Sequence, residues 1–143
     1  MKKILFSLIL FFSISLVSAQ KVINDANVES RKVATFHGLH VSSSIDVVLT
    51  QANEEGVAVS ANEKDYVQHI RTEVENGILK IWYDEKNKWW PRNRKLRAYV
   101  SVKNIDEIKA SGASDVKIEE QLSVSNLLID FSGASDIKGK IEV

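Results

Sequence analysis

The chain opens on an apolar run and then changes character. Residues 4–16 are apolar and interrupted only by serines; Lys2 and Lys3 precede them, and the small residues Val17-Ser18-Ala19 follow. A basic start, an apolar middle and small residues at the cleavage positions make residues 1–19 a secretory signal peptide, cut before Gln20. A permanent membrane helix needs about 20 apolar residues. This run is barely that long, is broken by serines, and has no basic stop-transfer cluster behind it. Residues 20–32 are polar and lack a sustained period, which predicts a flexible leader.

From Val33 to Val143 the pattern is that of a β domain. Val33–Phe36, Ile45–Thr50 and Val57–Val59 are short runs rich in β-branched residues, which predict strands. Asn62–Val67 predicts one helical turn capped by Asn62. Asn76-Gly77 lies between two strand-like runs and predicts a hairpin with a type I′ turn, since both central residues need positive φ. In its first arm Ile70, Thr72 and Val74 alternate with Arg71, Glu73 and Glu75, the period of a half-buried strand. Asp84 to Lys95 is a charged loop holding Pro91, and Leu96–Val102 returns to the β pattern.

A repeat sets the expected architecture. Ser111-Gly112-Ala113-Ser114-Asp115 recurs 21 residues later as Ser132-Gly133-Ala134-Ser135-Asp136. The flanks agree: Ile108 matches Ile129, Ala110 matches Phe131, and Val116 matches Ile137. Leu39–Val47 aligns without gaps on Ile108–Val116 as a diverged third copy that lacks the glycine. A short period containing several strands predicts a solenoid, each repeat one coil of a parallel β-helix. Val116, Ile118, Leu122, Val124, Leu127, Ile129 and Phe131 should then face inward, and Lys117, Glu119 and Asp130 should face water. The pentapeptides should be structural corners: glycine takes positive φ, alanine fits the inner bend, and serine and aspartate oxygens cap backbone N–H groups. Stacked coils lie about 4.8 Å apart, which sets Lys109 beside Asp130 and Asp115 on Asp136. Two carboxylates about 5 Å apart in water repel by only about 0.8 kcal/mol, so no metal is required.

Composition narrows the function. There is no cysteine, so neither disulfides nor thiolate zinc sites are available. Removal of the signal peptide leaves 17 basic and 19 acidic residues, a balance unlike the basic excess of a nucleic-acid binder. Ser114 follows Gly-Ala but lacks the second glycine of a nucleophile elbow. Stacked Asp115 and Asp136 would match the separation of a retaining glycosidase pair, about 5–5.5 Å, yet coil stacking alone produces that distance. His37 and His40 are three apart, so on one strand they point to opposite faces. No catalytic residue, metal site or cofactor is expected. The one stretch that suggests a ligand contact is the loop with Trp89, Trp90, Arg92 and Arg94, whose rings and cations suit envelope glycans or lipid headgroups.

The chain resembles the putative auto-transporter adhesin, head GIN domain family of exported bacterial proteins. The resemblance runs from about Phe36 to Val143. It rests on Phe36-His37-Gly38-Leu39-His40-Val41, Ile45-Asp46-Val47-Val48-Leu49, Thr72–Ile81 and the two pentapeptides. It implies a right-handed β-helix-like fold, export to the periplasm, outer envelope or cell surface, and an adhesive role, with no catalytic residues. Family members usually continue for several more coils, whereas this chain stops seven residues past Asp136. Two readings follow: a fragment, or an open last coil that pairs with another chain. The expected function is a non-catalytic adhesive or structural role, its partner an envelope or surface glycan or a protein. Nucleic acid is not an expected partner, and the membrane is met only through the signal peptide during export. The alternative is a carbohydrate-active enzyme or glycan-binding module on the same scaffold.

Overall fold

The computed structural model describes residues 25–85 and 93–143; the signal peptide at 1–19 lies outside them. Eleven strands and one short helix follow in order: β1 (Glu29–Arg31), β2 (Gly38–Val41), β3 (Ile45–Gln51), β4 (Gly56–Ala61), α1 (Lys64–Val67), β5 (Ile70–Glu75), β6 (Ile78–Tyr83), β7 (Leu96–Val102), β8 (Glu107–Ala110), β9 (Asp115–Ser123), β10 (Leu128–Phe131) and β11 (Asp136–Glu142). They form two mixed sheets. The first has the order β1-β4-β7-β3-β9-β11, the second β10-β8-β2-β6-β5.

Each sheet has a parallel heart. In the first, β7, β3, β9 and β11 run parallel; in the second, β6, β2, β8 and β10 do. In these parallel hearts β6/β7, β2/β3, β8/β9 and β10/β11 are consecutive pairs, one strand in each sheet at matching places in the two orders, and they define four tiers. Antiparallel β4 and β1 flank β7, and antiparallel β5 flanks β6. Alternate residues turn inward along β3, β6, β7 and β8. Leu39, Ile45, Leu49, Leu79, Ile81, Ile108 and Leu122 are essentially inaccessible to water, and burial of each such side chain is worth about 1.5–3 kcal/mol.

The Asn76-Gly77 hairpin forms as its sequence indicates, joining β5 to β6 with φ of +52° and +75° at the two turn residues. Other elements differ from expectation. The leader is not free throughout: Glu29–Arg31 pair with Val57–Val59 as an edge strand. The Arg31 guanidinium anchors it, donating to the Ile70 and Val67 carbonyls at 2.7 and 2.9 Å. Residues 33–36 are not a strand; Phe36 is buried as a single inserted ring. The helix is capped at Glu63 without a side-chain bond. Asn62 instead accepts from the Lys95 N–H and donates to the Asn93 carbonyl.

Candidate functional site

The repeat corners come together as the spacing requires. Asp115 lies beside Asp136 in the β9–β11 register, and Lys109 lies beside Asp130 in the β8–β10 register. The diverged copy joins them, with Leu39 beside Ile108 and Val47 beside Val116. Gly112 and Gly133 take φ of +71° and +68°, and Ser43 holds the equivalent place in the third copy at φ +64°. The missing glycine is thus a substitution that keeps the left-handed corner.

Side chains at the corners are engaged by backbone. The Asp136 N–H donates to the Asp115 carboxylate and the Asp115 N–H to the Asp46 carboxylate. The Ile45 N–H donates to Ser114 Oγ at 3.1 Å, and the Ser114 N–H to Ser135 Oγ at 3.2 Å. Ser111 and Ser132 donate their N–H groups to the Val41 and Ala110 carbonyls. Ser114 is wholly buried, whereas Ala113 and Ala134 face outward. The inner bend therefore belongs to serine rather than alanine, because only a hydroxyl can accept the N–H of the neighbouring tier. Val116, Ile118, Leu122 and Val124 are buried as expected, but Ile129 is 40 % exposed because it lies on the edge strand β10.

Of the aromatic and basic loop, Trp89, Trp90 and Arg92 lie outside the described residues. Arg94 is largely buried, its guanidinium carbon 4.0 Å from the Tyr83 ring centroid and one nitrogen 4.0 Å from Glu85. That cation–π contact fastens Arg94 to β6.

The outward face of the second sheet carries a feature with no local sequence motif. Parallel register sets Lys80, His40, Lys109 and Asp130 in one row across four strands. Beside it, at the corner, run Trp82, Ser42, Ser111 and Ser132. The two rows line a shallow groove of ≈ 440 Å³. Lys80 and Lys109 each hold a carboxylate at 2.9 Å, those of Glu75 and Glu107. The Lys109 hydrogen bond holds the Glu107 carboxyl below its ordinary range, and Glu107 in turn raises the Lys109 ammonium. His40 Nε2 is shielded from water and stands 3.6 Å from Glu107. Only register over long sequence separations creates these rows, so no local motif announces them. At the far corner His37 Nδ1 meets Asp106 Oδ1 at 2.8 Å, and that bond raises the imidazole pKa above 6.5. Among the described residues, no group of three or more His, Cys, Asp or Glu side chains is placed to hold a metal ion.

Comparison with known proteins places this geometry among others. The family model described as "Putative auto-transporter adhesin, head GIN domain" matches residues 35–143. A crystal structure titled a putative adhesin from Bacteroides fragilis is similar with a TM-score of 0.67 at 20% identity, over 80% of this chain and 51% of that one. A structure titled a putative lipid binding protein from Parabacteroides distasonis gives 0.64 at 20% identity, over 81% and 50%. A putative adhesin from Parabacteroides merdae gives 0.61 at 15% identity, over 73% and 42%. The chain therefore spans about half the length of these solved proteins, and at such identities the likeness is one of fold. Among proteins of curated function, none matches.

Proposed function

This chain belongs to the putative auto-transporter adhesin, head GIN domain family, and from that membership we propose that it is an exported, adhesin-like interaction protein of the cell envelope or surface. The four tiers would be coils of a right-handed parallel β-helix. The passage from β8 through β9 to the parallel β10 is a crossover, and such connections are right-handed in about 98% of cases. The signal-peptide pattern at 1–19 supports export.

The observation that carries the interaction role is the outward face of the second sheet, where register aligns side chains of four strands into continuous rows. Such a face offers a partner a repeating, pre-formed contact. A hydrolytic role draws no comparable support: Asp115 accepts the Asp136 N–H and Ser114 Oγ accepts the Ile45 N–H, both as parts of the corner. An envelope or surface glycan is the favoured partner class, with self-association along the β10 edge, where Leu128 and Ile129 are exposed, as the competing one.

The test is surface exposure together with adhesion. Intact producing cells should label with an antibody to the folded domain, and beads coated with the secreted protein should attach to cells or extracellular matrix. Labelling only after the envelope is opened, with no bead attachment, would overturn the reading.

A further inference from the structure

We propose that the groove across the second sheet is a saccharide site that holds one uncharged glycan strand lying across the β-strands; this rests on the adhesin-like reading above and names its ligand class. The groove is shallow and crosses strands from β6 to β10. That shape suits a polymer passing along it better than a small molecule, which sites normally enclose.

Chemistry selects an uncharged, polyhydroxylated ligand. Lys80 and Lys109 donate, Asp130 accepts, and the hydroxyls of Ser42 and Ser111 can do either. A sugar with adjacent hydroxyls uses both kinds of partner at once. A polyanion would meet no free positive field, because each lysine ammonium already lies 2.9 Å from a carboxylate. Trp82 lines one end of the groove, partly exposed on β6, and supplies an aromatic ring of the kind on which the C–H face of a pyranose stacks. The corner row repeats at the strand spacing of about 4.8 Å, close to the advance of one sugar unit along an extended chain. Successive units would therefore meet Ser42, Ser111 and Ser132 in turn.

Calorimetric titration of the whole secreted protein tests this, with uncharged β-1,4-linked cello- and chito-oligosaccharides of two and six units and a six-unit oligogalacturonate as probes. An uncharged hexamer should bind more tightly than its dimer. Trp82→Ala should weaken hexamer binding by about tenfold or more, the loss of one anchoring contact. Lys109→Gln, which removes the ammonium at a partly exposed position and gives up the Glu107 ion pair, should weaken it by a smaller factor with only a small change in the unfolding midpoint, as for a surface pair. Trp89→Ala/Trp90→Ala should leave it unchanged. No binding of either uncharged hexamer, preference for the galacturonate, or affinity indifferent to both Trp82→Ala and Lys109→Gln would overturn the proposal. Bead attachment measured in parallel separates the two levels. Beads that attach equally well with Trp82→Ala protein would sink the groove and leave the adhesin-like reading standing, whereas wild-type beads that never attach would count against that reading itself.

Discussion

The Asp136 backbone N–H donates to the carboxylate of Asp115 at 3.1 Å, so the two acidic residues that a repeat stacks on one another are joined rather than merely tolerated. The repeated aspartate is therefore a rung between tiers. Asp115→Asn keeps a side-chain oxygen to accept and should be close to neutral. Asp115→Ala removes the acceptor and should cost about 0.5–1.5 kcal/mol, a typical net hydrogen bond. Urea unfolding of the two variants checks the difference.

The two corner glycines should not respond alike. A Cβ on Gly133 would meet the Gly112 carbonyl oxygen at 2.4 Å, whereas one on Gly112 finds its nearest atom at 3.7 Å. Both alanine variants incur the cost of a left-handed residue, about 1–2 kcal/mol. Gly133→Ala adds a backbone clash and should loosen β10 and β11 selectively. Faster amide hydrogen exchange in those strands than in the Gly112→Ala protein is the expected result.

The edge strand β1 is reinforced by a side chain as well as by its ladder with β4. The Arg31 guanidinium ties it to the α1–β5 region through the Val67 and Ile70 carbonyls. Arg31→Ala should lower stability by about 1.5–3 kcal/mol, the range for bonds to a charged donor. Arg31→Lys should recover only part, since an ammonium lacks the fork that spans two carbonyls. Thermal unfolding of the two variants measures both effects.

The His37–Asp106 bond gives stability a pH dependence of known sign. The folded imidazole pKa is raised, first by that hydrogen bond and then by the Asp106 charge. Its contribution is fully present below the unfolded value near 6.5 and fades as pH rises through the folded pKa. The unfolding midpoint should therefore fall across that window in the wild type. In Asp106→Asn the fall should be smaller, which paired melts at several pH values will show.

Local sequence carried much of this architecture. Asn76-Gly77 announced its hairpin because positive φ at both residues is a chemical requirement of that turn. The pentapeptides announced the corner because identical backbones stacked on one another need identical residues. The third copy was visible through Leu39 and Asp46 although Ser43 replaces the glycine. Hidden features arise from distant partners. Glu29–Arg31 read as polar leader because the ladder to Val57–Val59 that makes them a strand, and the Arg31 contacts that anchor it, lie with distant partners. The groove was hidden too: Trp82, Ser42 and Ser111 are far apart in sequence and become neighbours only after β6, β2 and β8 pair. Asn62 shows the limit of a local rule, since its amide serves the Lys95 and Asn93 backbone rather than the helix it precedes.

The order of the tiers bears on how the chain reaches its final form. The first tier to leave the ribosome, β2/β3, ends up between two that are made later. Its β2 strand pairs with β6 from Gly38 to Ile78 on one side and with β8 from Gly38 to Glu107 on the other. It can bury neither edge until those segments exist, so early folding is held back by long loop closures, which slow folding. Once β8/β9 is seated, the step to β10/β11 spans only the 21-residue repeat. Among the described strands, the two-sided closure around β2/β3 is thus the slow step and the 21-residue step from β8/β9 to β10/β11 the quick one, a kinetic polarity written into the permuted order of the strands.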